Sequence, residues 1–312
     1  MKLFIQIPCL NEEKTLPVTM ADLPDNIAGI DSISILIIND GSTDNTVEVA
    51  KNLGVKHIIS FPKNRGLAHA FDAGISYCLN AGADIVVNTD GDNQYRGEDI
   101  KKLIEPIIEN KADVVIGNRQ TSKIKHFSKV KRLLQKTGTY ITNKLAGTNI
   151  DDAVSGFRAF NRNAAMNLHI MSSFSYTTES LIQLGNKGFE IVSVPINTNK
   201  KLRISRLFKS IPHFLINQST TIIRVYSHYK ALKIFTIIGC IAMLPGIAGV
   251  TRFLYYYFTY SGAGKIQSLV ISVMLILIGV LIILVGILAD MISNNRKLIE
   301  KILANQYRNE KK

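Results

Sequence analysis

The sequence predicts an α/β domain with a largely parallel sheet, followed by an interfacial helix and a two-helix hairpin long enough to cross a bilayer. Three observations carry this expectation. Short apolar runs alternate with helix-spaced apolar patterns through residues 1–199. The formal charge of +13 lies wholly in the rest, because residues 200–312 hold 16 of the 37 basic and 3 of the 24 acidic residues, leaving 21 of each before them. Residues 266–289 are an uncharged run of 24. As a helix such a run reaches ~36 Å, more than the ~30 Å of a hydrocarbon core.

Taken in order, strands are expected at 2–7, 34–39, 57–59, 85–88, 114–117 and 190–194. Between them Ile100, Leu103, Ile104, Ile107 and Ile108 recur at the spacing of one helix face. This alternation argues for a sheet covered on both faces, with ligands at the carboxyl ends of its strands. Residues 123–144 set Phe127, Val130, Leu133, Leu134 and Ile141 among basic side chains. That stretch reads as a solvated helix face or as a flap against a membrane.

Leu207, Ile211, Phe214, Leu215 and Gln218 suggest an interfacial helix over 205–230, leading into spans within 231–292. The first span is the uncharged 234–251, extended past Arg252 to an aromatic belt of Phe253 and Tyr255 to Tyr257. Lys230 and Lys233 precede the pair, and Arg296, Lys297 and Lys301 follow it. The positive-inside rule then places the 1–204 domain, the 293–312 tail and both termini in the cytoplasm of an integral inner or plasma membrane protein. No cleavable signal peptide is apparent at the start. Cys9, Cys78 and Cys240 are far apart, so neither a disulfide framework nor a zinc site is implied. Because the basic excess interleaves with apolar runs, the expected partner is a membrane surface and not nucleic acid.

Candidate chemistry sits where strands end. Pro8 to Glu13 follows the first strand and Asn39 to Asp44 the second, so Glu12 and Asp40 are placed to accept hydrogen bonds from a base or a ribose. The Asp-Gly-Ser that begins at Asp40 is also an ordinary turn sequence. The fourth strand runs into Thr89, Asp90, Gly91, Asp92, Asn93 and Gln94. Two carboxylates one residue apart, with a glycine that permits close approach, can hold a hard divalent cation and through it a diphosphate. Mg²⁺ or Mn²⁺ fits such oxygen ligands. Arg158 offers a forked N–H donor for phosphate, with Asp152 to orient it or act as a base; a structural ion pair is the other reading. Arg119 is a further phosphate candidate. Glu179 stands where a helix starts, and capping is its plain role. Lys200, Lys201, Arg203, Arg206 and Lys209 form the densest basic cluster, suited to phosphate contact or to tethering on anionic lipid.

PCLNEE, INDGSTDNT, KNRGLAHAFDAGI, NTDGDNQY, IGNR and DAVSGFRAF, in this order, resemble family 2 glycosyltransferases of the dolichol-phosphate mannose synthase or polyprenyl-phosphate glycosyltransferase type, over about residues 2–209. The resemblance implies a GT-A fold, an inverting mechanism and a divalent metal. By motif position it implies nucleotide contacts from Pro8, Leu10, Glu12, Asp40, Asp90 and Gly91, and metal or diphosphate contacts from Asp90, Asp92 and Gln94. It also implies catalytic roles for Asp92, Asp152 and Arg158, acceptor or phosphate contacts from Ser155 and Arg119, and phosphate contacts from Lys200, Lys201, Arg203 and Arg206. Gly91 departs from the alanine frequent at that place. The implied partners are a UDP- or GDP-linked sugar, a polyprenyl phosphate and the membrane, and the spans are compatible with a homo-oligomer. Two other readings are a transferase acting on a soluble glycan or polysaccharide, and a non-catalytic membrane anchor that binds nucleotide sugar. The chain has no Trp, hence no Gln-x-x-Arg-Trp element of processive synthases. The joint presence of Asp90, Asp92, Asp152 and Arg158 speaks against the anchor.

Overall fold

The computed structural model describes residues 1–120, 129–170, 176–200, 211–260 and 266–309. The chain divides into two compact units, Met1–Ile223 with Glu300–Lys312, and Arg224–Ile299.

The first unit is built on β1 (Lys2–Cys9), α1 (Leu16–Asp22), β2 (Ser32–Asn39), α2 (Thr46–Asn52), β3 (His57–Ser60), α3 (Leu67–Asn80), β4 (Ile85–Asn88), α4 (Ile100–Ile108), β5 (Val114–Asn118), α5 (Lys129–Ala146), β6 (Arg158–Asn161), α6 (Arg162–Met166), α7 (Tyr176–Asn186) and β7 (Ile191–Pro195). The strands form one sheet in the order β3-β2-β1-β4-β6-β5-β7. Every pairing is parallel except those of β6, which runs antiparallel to β4 and β5. The interior of β1 is apolar on both faces because helices cover both. Phe4 packs with Phe71, Ile75 and Val86 on one side; Leu3, Ile5 and Ile7 pack with Leu103 and Ile104 of α4 on the other. The helix face expected from Ile100 to Ile107 is buried as its spacing requires.

The strands match the expected positions, with β2 beginning at Ser32, and β6 is an addition. A consequence of this topology fixes the site. Since β1, β2, β4, β5 and β7 share one direction, their carboxyl ends and the turn entering β6 all emerge at one edge of the sheet.

The second unit is formed by parts of two long helices, α8 (Ile211–Tyr260) and α9 (Ile266–Asn309). The described part of the expected interfacial helix is the start of α8, which continues without a break into the first apolar segment. Ala231–Thr259 and Ile266–Gln306 are each long and apolar enough to cross a membrane. Their outward surface is apolar, with Ile241, Leu244, Leu277, Leu281 and Leu288 all exposed. Where the two helices meet, glycines make room: a Cβ on Gly239 would lie 2.7 Å from the carbonyl oxygen of Gly279, and one on Gly246 2.7 Å from that of Ser272.

Past this hairpin α9 belongs to the first unit again. Ala304 is buried in the core that includes Ala165, Leu181 and Leu184, and the Glu300 carboxylate pairs with Lys187 Nζ at 2.8 Å. Lys187 also donates to the Asn167 carbonyl at 2.6 Å.

Candidate active site

Each strand that reaches the common edge delivers a polar residue there. After β1, Pro8 and Leu10 are half-buried and Glu12 is buried, its Oε2 accepting from the Thr15 hydroxyl at 2.6 Å. After β2, both Asp40 oxygens accept backbone N–H bonds, from Arg65 at 2.7 Å and Gly66 at 2.9 Å. The carboxylate therefore ties down the turn before α3, a task the sequence did not announce.

After β4 comes the turn that bears Asp90 and Asp92, both half-buried. Asn93 takes φ 54°, and the Gln94 N–H donates to Asp92 Oδ1 at 3.2 Å. Gly91 is buried against the end of β1, where an added Cβ would stand 3.0 Å from Cys9 Sγ and 3.4 Å from Glu12 Cγ. The missing side chain lets the two turns touch. The donor chemistry fits a hard divalent cation: two carboxylates and an amide in one turn, plus Asn93 Oδ1, buried and lacking a hydrogen-bond partner among the described residues. Among the described residues no group of three His, Cys, Asp or Glu could hold a metal ion. Mg²⁺ in particular is usually held by one or two carboxylates and completed by substrate phosphates.

After β5, Arg119 meets Asp152 in a two-pronged pair, Nε to Oδ2 at 2.7 Å and Nη2 to Oδ1 at 2.9 Å, with Gln135 Nε2 adding a bond to Oδ1 at 3.1 Å. Asp152 is 1% and Arg119 14% exposed at the side chain. Burial alone would raise the Asp152 pKa, but the guanidinium and its hydrogen bonds outweigh it and hold the carboxyl below its usual value. Burial likewise opposes the Arg119 charge, and its electrostatic partners, Asp152 among them, reverse the effect and raise its pKa.

The expected pairing of Asp152 with Arg158 is corrected. Arg158 is wholly buried at the start of β6 and spends its N–H groups on the carbonyls of Ser155, Thr177 and Ala153 and on Ser180 Oγ. It braces the turn onto α7, and no fork remains to hold a phosphate. Ser155, also 0% exposed, belongs to this turn, its Oγ accepting from the Phe157 N–H at 3.4 Å. Glu179 lies in the first turn of α7, buried, and accepts from Gln183 Nε2 at 3.3 Å.

After β7 the chain runs back beside the Asp90 turn. Thr198 bridges Tyr95, and the Asn199 N–H donates to the Gln94 carbonyl at 2.9 Å. Lys200, next in line, is exposed. Lys201, Arg203 and Arg206 lie outside the described residues, as do Phe127 and Leu207.

Residues 4–168, the stretch carrying Asp40, the Asp90 turn and the Arg119–Asp152 pair, match the family described as glycosyl transferase family 2. The chain belongs to that family. This glycosyltransferase is 29% identical over 224 residues to the UDP-N-acetylglucosamine–dolichyl-phosphate N-acetylglucosaminyltransferase of Methanococcus voltae, covering 63% of this chain and 85% of the relative. It is 27% identical over 206 residues to the undecaprenyl-phosphate mannosyltransferase of Micrococcus luteus, covering 63% and 83%. Among solved structures, glucosyl-3-phosphoglycerate synthase from Mycobacterium tuberculosis in complex with phosphoglyceric acid superposes with TM-score 0.56 at 18% identity, covering 72% of this chain and 79% of that one. The first unit thus has the GT-A-like fold that the motifs implied.

Residue patterns alone passed over Asn88, Tyr95, Gln135 and Tyr176. Tyr95 directly follows the acidic turn, and Tyr176 precedes Glu179 by one helical turn. Position was the only signal available for either.

Proposed function

We propose that this glycosyltransferase moves one sugar, with inversion at the anomeric carbon, from a nucleoside-diphosphate sugar to a polyprenyl phosphate at the cytoplasmic face of a membrane. The observation that carries this reading is the strap of Thr198 and Asn199 on Tyr95 and Gln94. It starts the basic run at Lys200 beside the Asp90–Gln94 turn, so cations suited to a lipid phosphate begin where the diphosphate is expected. The named acceptors of the Methanococcus and Micrococcus relatives are likewise polyprenyl phosphates. Two helices apolar enough to cross a bilayer suit a substrate that cannot leave it cheaply, at ~0.8 kcal/mol per buried CH₂.

In this reading Pro8, Leu10, Glu12 and Asp40 border the nucleotide, with UDP favoured over GDP, and Asp90, Asp92 and Gln94 hold a Mg²⁺ or Mn²⁺. When bound, that ion offsets charge on the departing diphosphate. Asp152 occupies the Nε side of Arg119 and leaves its Nη1 edge for a phosphate oxygen. The lipid phosphate oxygen attacks the anomeric carbon in line, forming the new C–O bond as the nucleoside diphosphate leaves from the opposite face with the bonding pair. A phosphate monoester with a second pKa near ~6 is mostly dianionic at neutral pH, so the attack needs no strong base. Asp152, held anionic by Arg119, then serves as an anchor for the arginine. The test is transfer from labelled UDP- and GDP-sugars to polyprenyl phosphate by the full chain in detergent. Label extracted with the lipid supports the reading, and label recovered solely in soluble glycan overturns it.

A further inference from the structure

Gly156 is held more tightly than a turn residue needs. Its N–H donates to Tyr95 Oη at 3.1 Å, and its carbonyl accepts from Tyr176 Oη at 3.1 Å and from Asn88 Nδ2 at 2.9 Å. Neither phenol is free to swing. Tyr95 stacks on Phe157 with centroids 4.9 Å apart, and Tyr176 lies flat on Phe71 at 3.8 Å and 4°. Asn88 is fixed in turn, its Oδ1 accepting from Gln6 Nε2 at 3.0 Å and its Nδ2 reaching Tyr176 Oη at 2.8 Å. All of these groups are buried. What this frame supports is the acidic turn: a Cβ built on Gly156 would stand 3.4 and 3.5 Å from the two Asp90 oxygens and 3.0 Å from Tyr176 Oη. The Asp90 carboxylate therefore borders the space beside Gly156 that a side chain there would enter.

We propose that Tyr95 and Tyr176 are positioning residues, which pin the Gly156 peptide from its two sides and so set where the Asp90 carboxylate stands. This rests on the reading of Asp90 as a ligand for a divalent cation. The phenols suit the task chemically, because one serves the peptide as acceptor and the other as donor. Phenylalanine at either place keeps the stacking ring; at position 95 it removes the bond from the Gly156 N–H, and at position 176 the bond to the Gly156 carbonyl together with the one from Asn88 Nδ2.

The experiment is a Mn²⁺ titration of the full chain in detergent, following free Mn²⁺ by electron paramagnetic resonance with and without UDP. UDP affinity without metal is measured alongside. Tyr95→Phe/Tyr176→Phe is expected to weaken Mn²⁺ binding about tenfold and each single change about threefold, the scale of lost hydrogen bonds, with metal-free UDP affinity unchanged. Unchanged Mn²⁺ affinity, or an equal loss of both affinities, overturns the proposal. If the double variant does not fold, Tyr95→Phe and Tyr176→Phe carry the test singly, each expected to weaken Mn²⁺ binding about threefold with metal-free UDP affinity unchanged. Asp90→Asn separates the two levels. If it keeps full Mn²⁺ affinity the ligand reading itself fails; if it loses affinity while the tyrosine variants do not, only the positioning fails.

Discussion

A carboxylate as buried as Asp152 is tolerated because Arg119 grips both of its oxygens. Asp152→Asn would strand the guanidinium without its countercharge, and a loss of about 3–5 kcal/mol of stability is expected, read as a lowered urea midpoint. The pH dependence has a definite sign. A carboxyl whose folded pKa is depressed stabilises the fold above its unfolded value of ~3.9, and that gain is lost as pH falls through the folded value. Wild-type stability should therefore drop more steeply below about pH 4 than that of Asp152→Asn. Asp92→Asn is expected to cut sugar transfer by about a hundredfold or more with the circular dichroism spectrum intact. At this scale the sequence located the polar groups but not their partners. Asp90 and Asp92 could be placed because a strand end and a glycine fix the backbone. Arg158 could not, because four acceptors consume it, two of them on the distant α7, and a single sequence shows a charge without showing what satisfies it.

Elements of regular period were the legible ones. The parallel strands announced themselves as apolar runs, and α4 by its spacing, since a buried face leaves that trace whatever lies opposite. β6, Arg158 to Asn161, escaped because it alone among the strands has no β-branched residue to mark it. Its place in the sheet comes from register with β4 and β5, which no local pattern encodes. The strap of Thr198 and Asn199 is invisible for the same reason. Asn199→Pro would remove the N–H donated to Gln94. If this contact directs the basic run toward the site, the KM for polyprenyl phosphate should rise several-fold while metal-free UDP affinity stays as it was, measured by steady-state kinetics and equilibrium dialysis.

For the molecule as a whole, the charge division between residues 1–199 and 200–312 foretold two kinds of surface. It could not foretell that the chain, after its apolar hairpin, contributes again to the core of the first unit. In chain order the hairpin thus stands between two stretches of the first unit. A polypeptide stopped at residue 223 would lose the plug that Ala304 provides and leave Lys187 without Glu300. Such a shortened enzyme should melt at a lower temperature than one in which a short hydrophilic linker joins residue 223 to residue 300, a comparison that differential scanning fluorimetry can make.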